Sequence, residues 1–519
     1  MPGATAFYVT TPIYYVNDVP HLGHAYTTIA CDVLARFARL DGRRVMFLTG
    51  TDEHGQKVEK SAASAGEAPQ AFTDRVSGRF RALTAALGIS NDDFIRTTEP
   101  RHARASQAIW RALVDAGDIY LDTYAGWYSV RDEAYFAESE LVDAPGGGKL
   151  APSGAPVEWV EEPSYFFRLS RWQQPLLDHY RRDPDAILPA GRRNEVLSFI
   201  RGGLQDLSVS RTSFKWGVPV PGDDAHIIYV WLDALTNYLT AVGYPDTDSE
   251  PFRTFWPADV HVVGKDILRF HAVYWPAFLM AAGVAPPRRV FAHGWWTVEG
   301  QKMSKSLGNV VDPFGLVETY GLDQVRYFLL REVPFGNDGD FSHAALVHRT
   351  NGDLANDYGN LAQRALAMVH RHCGAAVPEA GPFTDDDRAL LDAASRLVEV
   401  LRPLMERQAP HEALDAIWAV VRAANGYVDR QAPWVLRKDD PARMGTVLYA
   451  VAECLRHLAI LTQPFMPDAS ARLLDQLAVP PGARDFSHLG PRHALAQGAA
   501  LPAPEGVFPR RGETAEAAS

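Results

Sequence analysis

Apolar positions near the N-terminus form two short continuous runs separated by a stretch at helical spacing. Residues 5–16 are rich in Thr, Tyr, Val and Ile, which favours a buried strand, and Asn17-Asp18-Val19-Pro20 breaks it. Ile29, Val33, Leu34, Phe37 and Leu40 then recur at helical spacing, predicting a helix over 24–40 that Asp41-Gly42 stops. Val45-Met46-Phe47-Leu48 is a second strand, ending in Gly50-Thr51-Asp52-Glu53-His54-Gly55. Strand, helix and strand in this order make a βαβ unit and imply a parallel sheet. Ligands of such sheets bind beyond the carboxyl ends of the strands, where 17–24 and 50–55 both lie.

The pattern predicts two further helices, over 69–87 and 101–116, and a short strand at Phe94-Ile95. From 119 to 215 short aromatic β-type runs alternate with turns, as in an insertion. The sheet pattern returns at 226–231, 260–264 and 290–294. Beyond 350 the texture is helical: Leu390, Leu391, Ala394, Leu397, Val398 and Leu401 make one apolar stripe, with similar stripes in 353–372, 411–430 and 443–464. The expected organisation is a first half-domain over 1–116, an insertion over 117–225 and a second half-domain over 226–290. A linking segment over 291–350, a helical bundle over 351–478 and an extended tail over 479–519 follow.

Composition narrows the class. Apolar residues make up 47% and charged residues 22%, as in ordinary soluble proteins. The formal charge of −12 excludes a global positive field, so any nucleic-acid contact must use local patches. Cys31, Cys373 and Cys454 are too far apart for a metal set or a disulfide framework, which argues for a reducing compartment. No basic segment followed by a long apolar run stands at the N-terminus, and the longest apolar stretch, 272–284, is too short to cross a bilayer and contains Pro276. A cytoplasmic protein with no membrane partner is expected.

Two strings carry candidate chemistry. In Gln301-Lys302-Met303-Ser304-Lys305-Ser306, flanked by Gly300 and Gly308, two ammonium groups ride on a bendable loop. Such a loop can close over a polyphosphate and neutralise charge that grows on it. In His21-Leu22-Gly23-His24 two imidazoles share the first turn of the predicted helix, whose N-terminus favours anions, and Gly23 leaves room for close approach. A zinc reading of this pair is weak, because helical His ligands usually stand four apart beside a Glu.

Together, in this order, the strings resemble the two signatures of class I aminoacyl-tRNA synthetases. The residues 10–17, 50–57, 229–234, 264–267 and 432–434 are similar to patterns of the methionyl-tRNA synthetase family, and the resemblance covers roughly 5–475. It implies an α/β fold: a Rossmann-type catalytic domain with a connective insertion, then an all-α anticodon-binding bundle. It implies that methionine is activated with ATP and Mg²⁺ to an adenylate, then transferred to the terminal adenosine of initiator and elongator tRNA(Met). By this resemblance His21, His24, Lys302 and Lys305 are catalytic, and Gly23, Asp266, His293 and Ser304 join them at ATP. The methionine site is implied at Ile13, Tyr15, Asp52, Trp231, Tyr238, Asp266, Phe270, His271 and Trp275, with Arg211 near the acidic group. As plain sequence these aromatics read as core before they read as a site, and several can be both.

Asn360, Arg364, Pro433 and Trp434 are implied at the anticodon, while Trp434 alone also suits the bundle core. Whether Trp296 contacts adenosine or packs stays open. The sequence departs from many relatives in the insertion: 128–132 and 150–154 hold no thiolate or imidazole where paired zinc ligands would stand, so no zinc is expected. A chain ending soon after Phe508-Pro509-Arg510 leads to the expectation of a monomer. Rival readings are a class I synthetase for leucine, which needs a larger insertion, another nucleotidyltransferase with an H-x-G-H site, and a tRNA-binding protein without catalysis.

Overall fold

The computed structural model describes residues 5–16, 19–132, 134–145, 147–303 and 308–512. Its centre is a seven-stranded parallel sheet. Across it run Ile187–Leu188, Val290–His293, Val260–Gly264, Ala6–Thr10, Arg44–Asp52 and Asp93–Arg96, with Tyr14–Tyr15 pairing the end of Arg44–Asp52. The expected βαβ unit is Ala6–Thr10, helix Leu22–Leu40 and Arg44–Asp52. From Ala6–Thr10 the chain moves to one side of the sheet, and Val290–His293 lies on the other side of Val260–Gly264. A crevice therefore opens past Thr10 and Gly264, at the topological switch point.

Alternation along the strands divides the core. Phe7, Val9, Val260 and Val262 pack with the Leu22–Leu40 helix and the bundle. Tyr8 and Val263 face the opposite layer, with Trp231, Tyr238, Phe270 and Trp275.

The insertion is built on a long antiparallel pair, Ile119–Ser129 with Pro156–Phe167. Two expectations change here. Within 117–225 the chain returns to the parallel sheet, because Ile187–Leu188 pairs with Val290–Phe291 at its edge. Asp223–Ile228, expected in that sheet, instead pairs antiparallel with Ser210–Arg211 and Pro219–Val220 in a small separate sheet. Its apolar run reads like a buried parallel strand, and only its partners tell the two apart.

The segment after Gly264 also departs from a plain helix. A 3₁₀ turn, Lys265–Ile267, leads to a π-helical turn, Phe270–Tyr274, and then to helix Trp275–Ala281. Pro276 has no N–H for the carbonyl four residues back, Ala272, and the Tyr180 hydroxyl donates to that oxygen at 2.5 Å. The turn before Pro276 is thereby wound wider than an α-helix.

The bundle holds Asn360–His372, Asp385–Glu406, Pro410–Gln431 and Pro441–Thr462. Pro441–Thr462 is long and apolar enough to cross a membrane, but its apolar window is wholly buried among the other helices, which is why it is apolar all round. Among the described residues after 480 the chain has short 3₁₀ turns and one isolated bridge, Ala376 with Ala500, yet it packs: Phe486, Leu495, Leu501, Val507 and Phe508 are buried.

Candidate active site

His21 is the N-cap of Leu22–Leu40, extended at φ −134°, and no acidic residue occupies that helix's first turn. Its Nδ1 accepts the Gly23 N–H at 3.1 Å, and His24 Nδ1 accepts the His21 N–H at 3.1 Å, a reciprocal capping box made by two imidazoles. A nitrogen that accepts carries no hydrogen, so each neutral ring bears its hydrogen on Nε2. The rings lie 3.9 Å apart, and Tyr14 and Phe80 meet His24 edge-on. Burial, and then His21 beside it, push His24 well below the ordinary imidazole range, so near neutral pH it is an uncharged N–H donor. Gly23 has a local reason as well as the expected clearance for a ligand. A Cβ there would stand 3.0 Å from His21 Cε1 and 3.2 Å from its Nδ1, displacing the cap.

His293 ends its strand on the far side of the crevice. Its Nδ1 donates to the Gly294 carbonyl at 2.8 Å, so its Nε2 accepts the Thr27 hydroxyl at 2.7 Å. Burial lowers its pKa. Both ring nitrogens are engaged, and the ring ties this strand to the helix that carries His24. The expectation of His293 at ATP meets a ring already bonded on both nitrogens within the protein.

The expected methionine residues gather mostly on the opposite face of the sheet. Trp231 stacks on Phe270 at 3.7 Å between ring centres, with planes 4° apart. His271 Nδ1 donates to the Ile267 carbonyl at 3.0 Å, so its Nε2 accepts the Tyr238 hydroxyl at 2.7 Å. Burial lowers His271 to about 4, which keeps this ring neutral. Tyr238 also lies 6.1 Å from Trp275, and Ile13 packs on the same cluster. Tyr15 pairs in register with Asp52 at the carboxyl edge, on the rim of a separate apolar cluster, with the Lys57 ammonium 5.6 Å from its ring. Asp52 is buried there. The Arg211 guanidinium is enclosed by the Tyr128, Tyr135 and Tyr229 rings and bonds Ser208 and Ser210 inside the insertion. Although burial opposes it, Glu162 is among the charges that hold it protonated.

Asp266 follows Val260–Gly264 and is exposed; its Oδ1 accepts the Trp295 indole N–H at 3.1 Å. Lys302 lies on the short strand Gln301–Lys302, paired antiparallel with Trp296–Val298. Its ammonium stands 5.5 Å from the centre of the Trp295 ring. Ser304 and Lys305 lie outside the described residues. Trp296 is buried against Tyr26 and Phe328, so its side chain packs.

Sequence reasoning overlooked Trp295 and a buried carboxylate, Asp233. The latter bonds His54 Nδ1 at 2.6 Å, His102 Nε2 at 2.8 Å and the Ser106 hydroxyl at 3.0 Å. Although burial opposes it, His54 and then His102 hold Asp233 far below the ordinary carboxylate range. The alternation of Trp295, Trp296, Thr297 and Val298 was the available signal for the first. Nothing local marks the second, because its partners lie 131 and 179 residues away.

At the insertion's tip the two turns that would carry zinc ligands are joined by Asp132, which accepts the Ser129 hydroxyl at 3.1 Å and the Ser153 hydroxyl. Among the described residues no group of three or more His, Cys, Asp or Glu side chains is placed to hold a metal.

In the bundle, a π-helical stretch, Thr350–Gly359, precedes Asn360. Its Asp353 and Asp357 carbonyls accept from Trp418 and Asn425 of the neighbouring helix. Arg364 reaches Asp429 at 3.3 Å and lies 5.4 Å from the centre of the Trp434 ring. Trp434 is 44% exposed, while Pro433 beside it is buried, so Trp434 is a surface platform and not core.

A family model described as tRNA synthetases class I (M) matches residues 7–366, and one described as the anticodon binding domain of methionyl tRNA ligase matches 377–517. The chain is 61% identical over 504 residues to a methionine–tRNA ligase of Mesorhizobium japonicum, covering 97% of each. It is 58% identical over 510 residues to that of Brucella suis, covering 98% of this chain and 99% of the relative. Among solved structures, a Mycobacterium tuberculosis methionyl-tRNA synthetase in complex with methionyl-adenylate matches at TM-score 0.95 and 55% identity, over 98% of this chain and all of that one. The free-state form of the M. tuberculosis enzyme matches at 0.89 and 52%, over 98% and 99%. By sequence over nearly its whole length and by fold, the chain belongs to the class I methionine–tRNA ligases.

Proposed function

We propose that this chain activates methionine with ATP, releasing pyrophosphate, and transfers the methionyl group from the adenylate to the terminal adenosine of tRNA(Met), initiator and elongator. The observation that carries the reading is the capping pair of His21 and His24 at the helix N-terminus, with His24 uncharged, on a sheet edge where Lys302 rides the hairpin that follows Val290–His293. In-line attack of the methionine carboxylate on the α-phosphorus needs alignment and charge stabilisation; no covalent nucleophile from the protein is required. His24 offers an Nε2–H donor to phosphate oxygens without adding charge, beside His21 and the positive end of the helix. Lys302 and Lys305 supply the positive charge on the pyrophosphate side, with Ser304 between them. Mg²⁺ is taken here as part of the nucleotide substrate.

Asp52 suits the substrate ammonium, and Asp266 either that ammonium or the ribose. The side chain fits among Ile13, Tyr15, Trp231, Tyr238, Phe270, His271 and Trp275, because a flexible, polarizable thioether is held well by aromatic rings. Asn360, Arg364, Pro433 and Trp434 form the reading surface for the anticodon. The protein acts as a monomer in the cytoplasm, and the insertion is held by its own packing and the Asp132 bonds. Elemental analysis of the purified protein should find no stoichiometric zinc; one zinc per chain refutes that part.

The test of the whole reading is ATP–pyrophosphate exchange with each amino acid in turn. Exchange with methionine alone is expected, and its loss in Lys305→Ala. Exchange with another amino acid, or with none, refutes the assignment.

A further inference from the structure

Trp295 is 45% exposed, yet every part of it is engaged. Its backbone N–H donates to Asp338 Oδ1 at 2.8 Å and its indole N–H to Asp266 Oδ1 at 3.1 Å. The Lys265 ammonium stands 4.3 Å from its ring centre and the Lys302 ammonium 5.5 Å. Pairing in the hairpin explains the second contact. Thr297 stands opposite Lys302, so Trp295, two residues earlier, is the diagonal neighbour of Lys302 on the same face. Trp296 and Val298 point to the other face, into the core. The two cations differ in one respect. Lys265 is also paired with Asp338 at 2.7 Å, whereas Lys302 has no ion pair among the described residues.

Resting on the proposed reaction, we infer that Trp295 is a positioning residue: an aromatic dock that holds the Lys302 ammonium at the carboxyl edge of the sheet, beside Asp266. An aromatic face suits this task better than a carboxylate would. It restricts the long side chain, leaves its full charge available, and leaves no unpaired anion behind when the ammonium turns to a polyphosphate. Lys265, fixed by Asp338, orients the ring from its own strand end.

The test is a double-mutant cycle read by methionine-dependent ATP–pyrophosphate exchange. Trp295→Leu should lower kcat/KM for ATP about two- to fivefold, the range of one exposed cation–ring contact. Trp295→Phe, which keeps the aromatic face, should restore most of that loss. In a Lys302→Met background Trp295→Leu should have no further effect. Additive losses, or a Phe variant as impaired as the Leu variant, overturn the dock. A second measurement does not depend on activity. With lysines carrying ¹³C-methyl labels, the free protein should show Lys302 and Lys265 resonances moved upfield by the indole ring, and Trp295→Leu should abolish both shifts. A Lys302 resonance unaffected by Trp295→Leu overturns the dock even in a protein that exchanges nothing. A wild-type protein with no exchange refutes the proposed function instead.

Discussion

Gly23 acquires a second reason beside the one its sequence suggests. The sequence suggests clearance for a ligand; the structure adds that a Cβ would crowd the His21 ring that caps the helix. Gly23→Ala should therefore fold normally but lower kcat/KM for ATP by about tenfold, less than the ~10²-fold of a full ångström's displacement, because the ring must give by only tenths of an ångström. A variant with near wild-type kinetics removes the capping argument. The lysine loop was equally legible as charge on a hinge, whereas the ring that holds Lys302 was not, because it takes the hairpin register to bring position 295 beside 302.

At the scale of elements, wide helical turns mark both ends of the function. Pro276 predicts an interruption in the segment after Gly264, but the partner that makes it tolerable, Tyr180, belongs to the insertion. In the bundle, the tight link at Ala432, a left-handed residue at φ 43°, turns Trp434 outward on a short helix. Stacking of one base on such a platform is worth about 1–3 kcal/mol. Trp434→Ala should then lose roughly five- to 150-fold in aminoacylation of tRNA(Met) while pyrophosphate exchange without tRNA stays unchanged. Equal aminoacylation by both proteins excludes the stacking role.

A third element, helix Leu322–Arg331, starts with Asp323, which accepts the Ala469 N–H in the first turn of Pro467–Gln476 at 2.5 Å. Burial raises this carboxyl from 3.8 to about 6, against the pull of that hydrogen bond. Between these values the folded state holds the proton more tightly than the unfolded one. The group's contribution to stability is thus complete below pH 3.8 and is lost as pH rises through about 6. Asp323→Asn, which keeps an acceptor and has no proton to lose, should melt about 2–4 °C higher than the wild type near pH 8. The gain should shrink as pH falls towards 4. A gain that is the same at both pH values contradicts the assignment.

For the whole molecule, one buried guanidinium joins the catalytic and helical layers. Arg326, fully buried, pairs with Asp32 of the Leu22–Leu40 helix at 2.6 Å and donates to the Leu87, Pro464 and Phe465 carbonyls. Although burial opposes it, Arg326 and then Arg36 hold the Asp32 carboxyl below its ordinary value. The helix that presents His24 is thus clamped to the bundle that presents Arg364 and Trp434. Arg326→Met removes the partner of a buried charge and should destabilise the protein by about 3–5 kcal/mol, seen as a lower Tm. An unchanged Tm would mean that Arg36 alone suffices for Asp32. The chain's last described residues add a second tie, since the Arg511 backbone N–H and carbonyl bond the Asn351 side-chain amide and its guanidinium donates to the Tyr320 carbonyl.

The sequence by itself determined the parts whose causes are local. Apolar runs and helical stripes specified the sheet's first βαβ unit and the bundle, because burial of one face has a period that a linear chain records. The two signature strings pointed to a proposed site, because helix N-termini and glycine-flanked loops act through neighbours in sequence. Only the tertiary structure decided the rest. It moved Asp223–Ile228 to a small sheet, enclosed Arg211 in tyrosines and turned His293 into a tie. It buried Trp296 and left Trp295 in reach of Lys302. Each of these outcomes depends on which partner a strand or side chain meets across tens to hundreds of residues, and pairing at that range leaves no periodic trace in the chain.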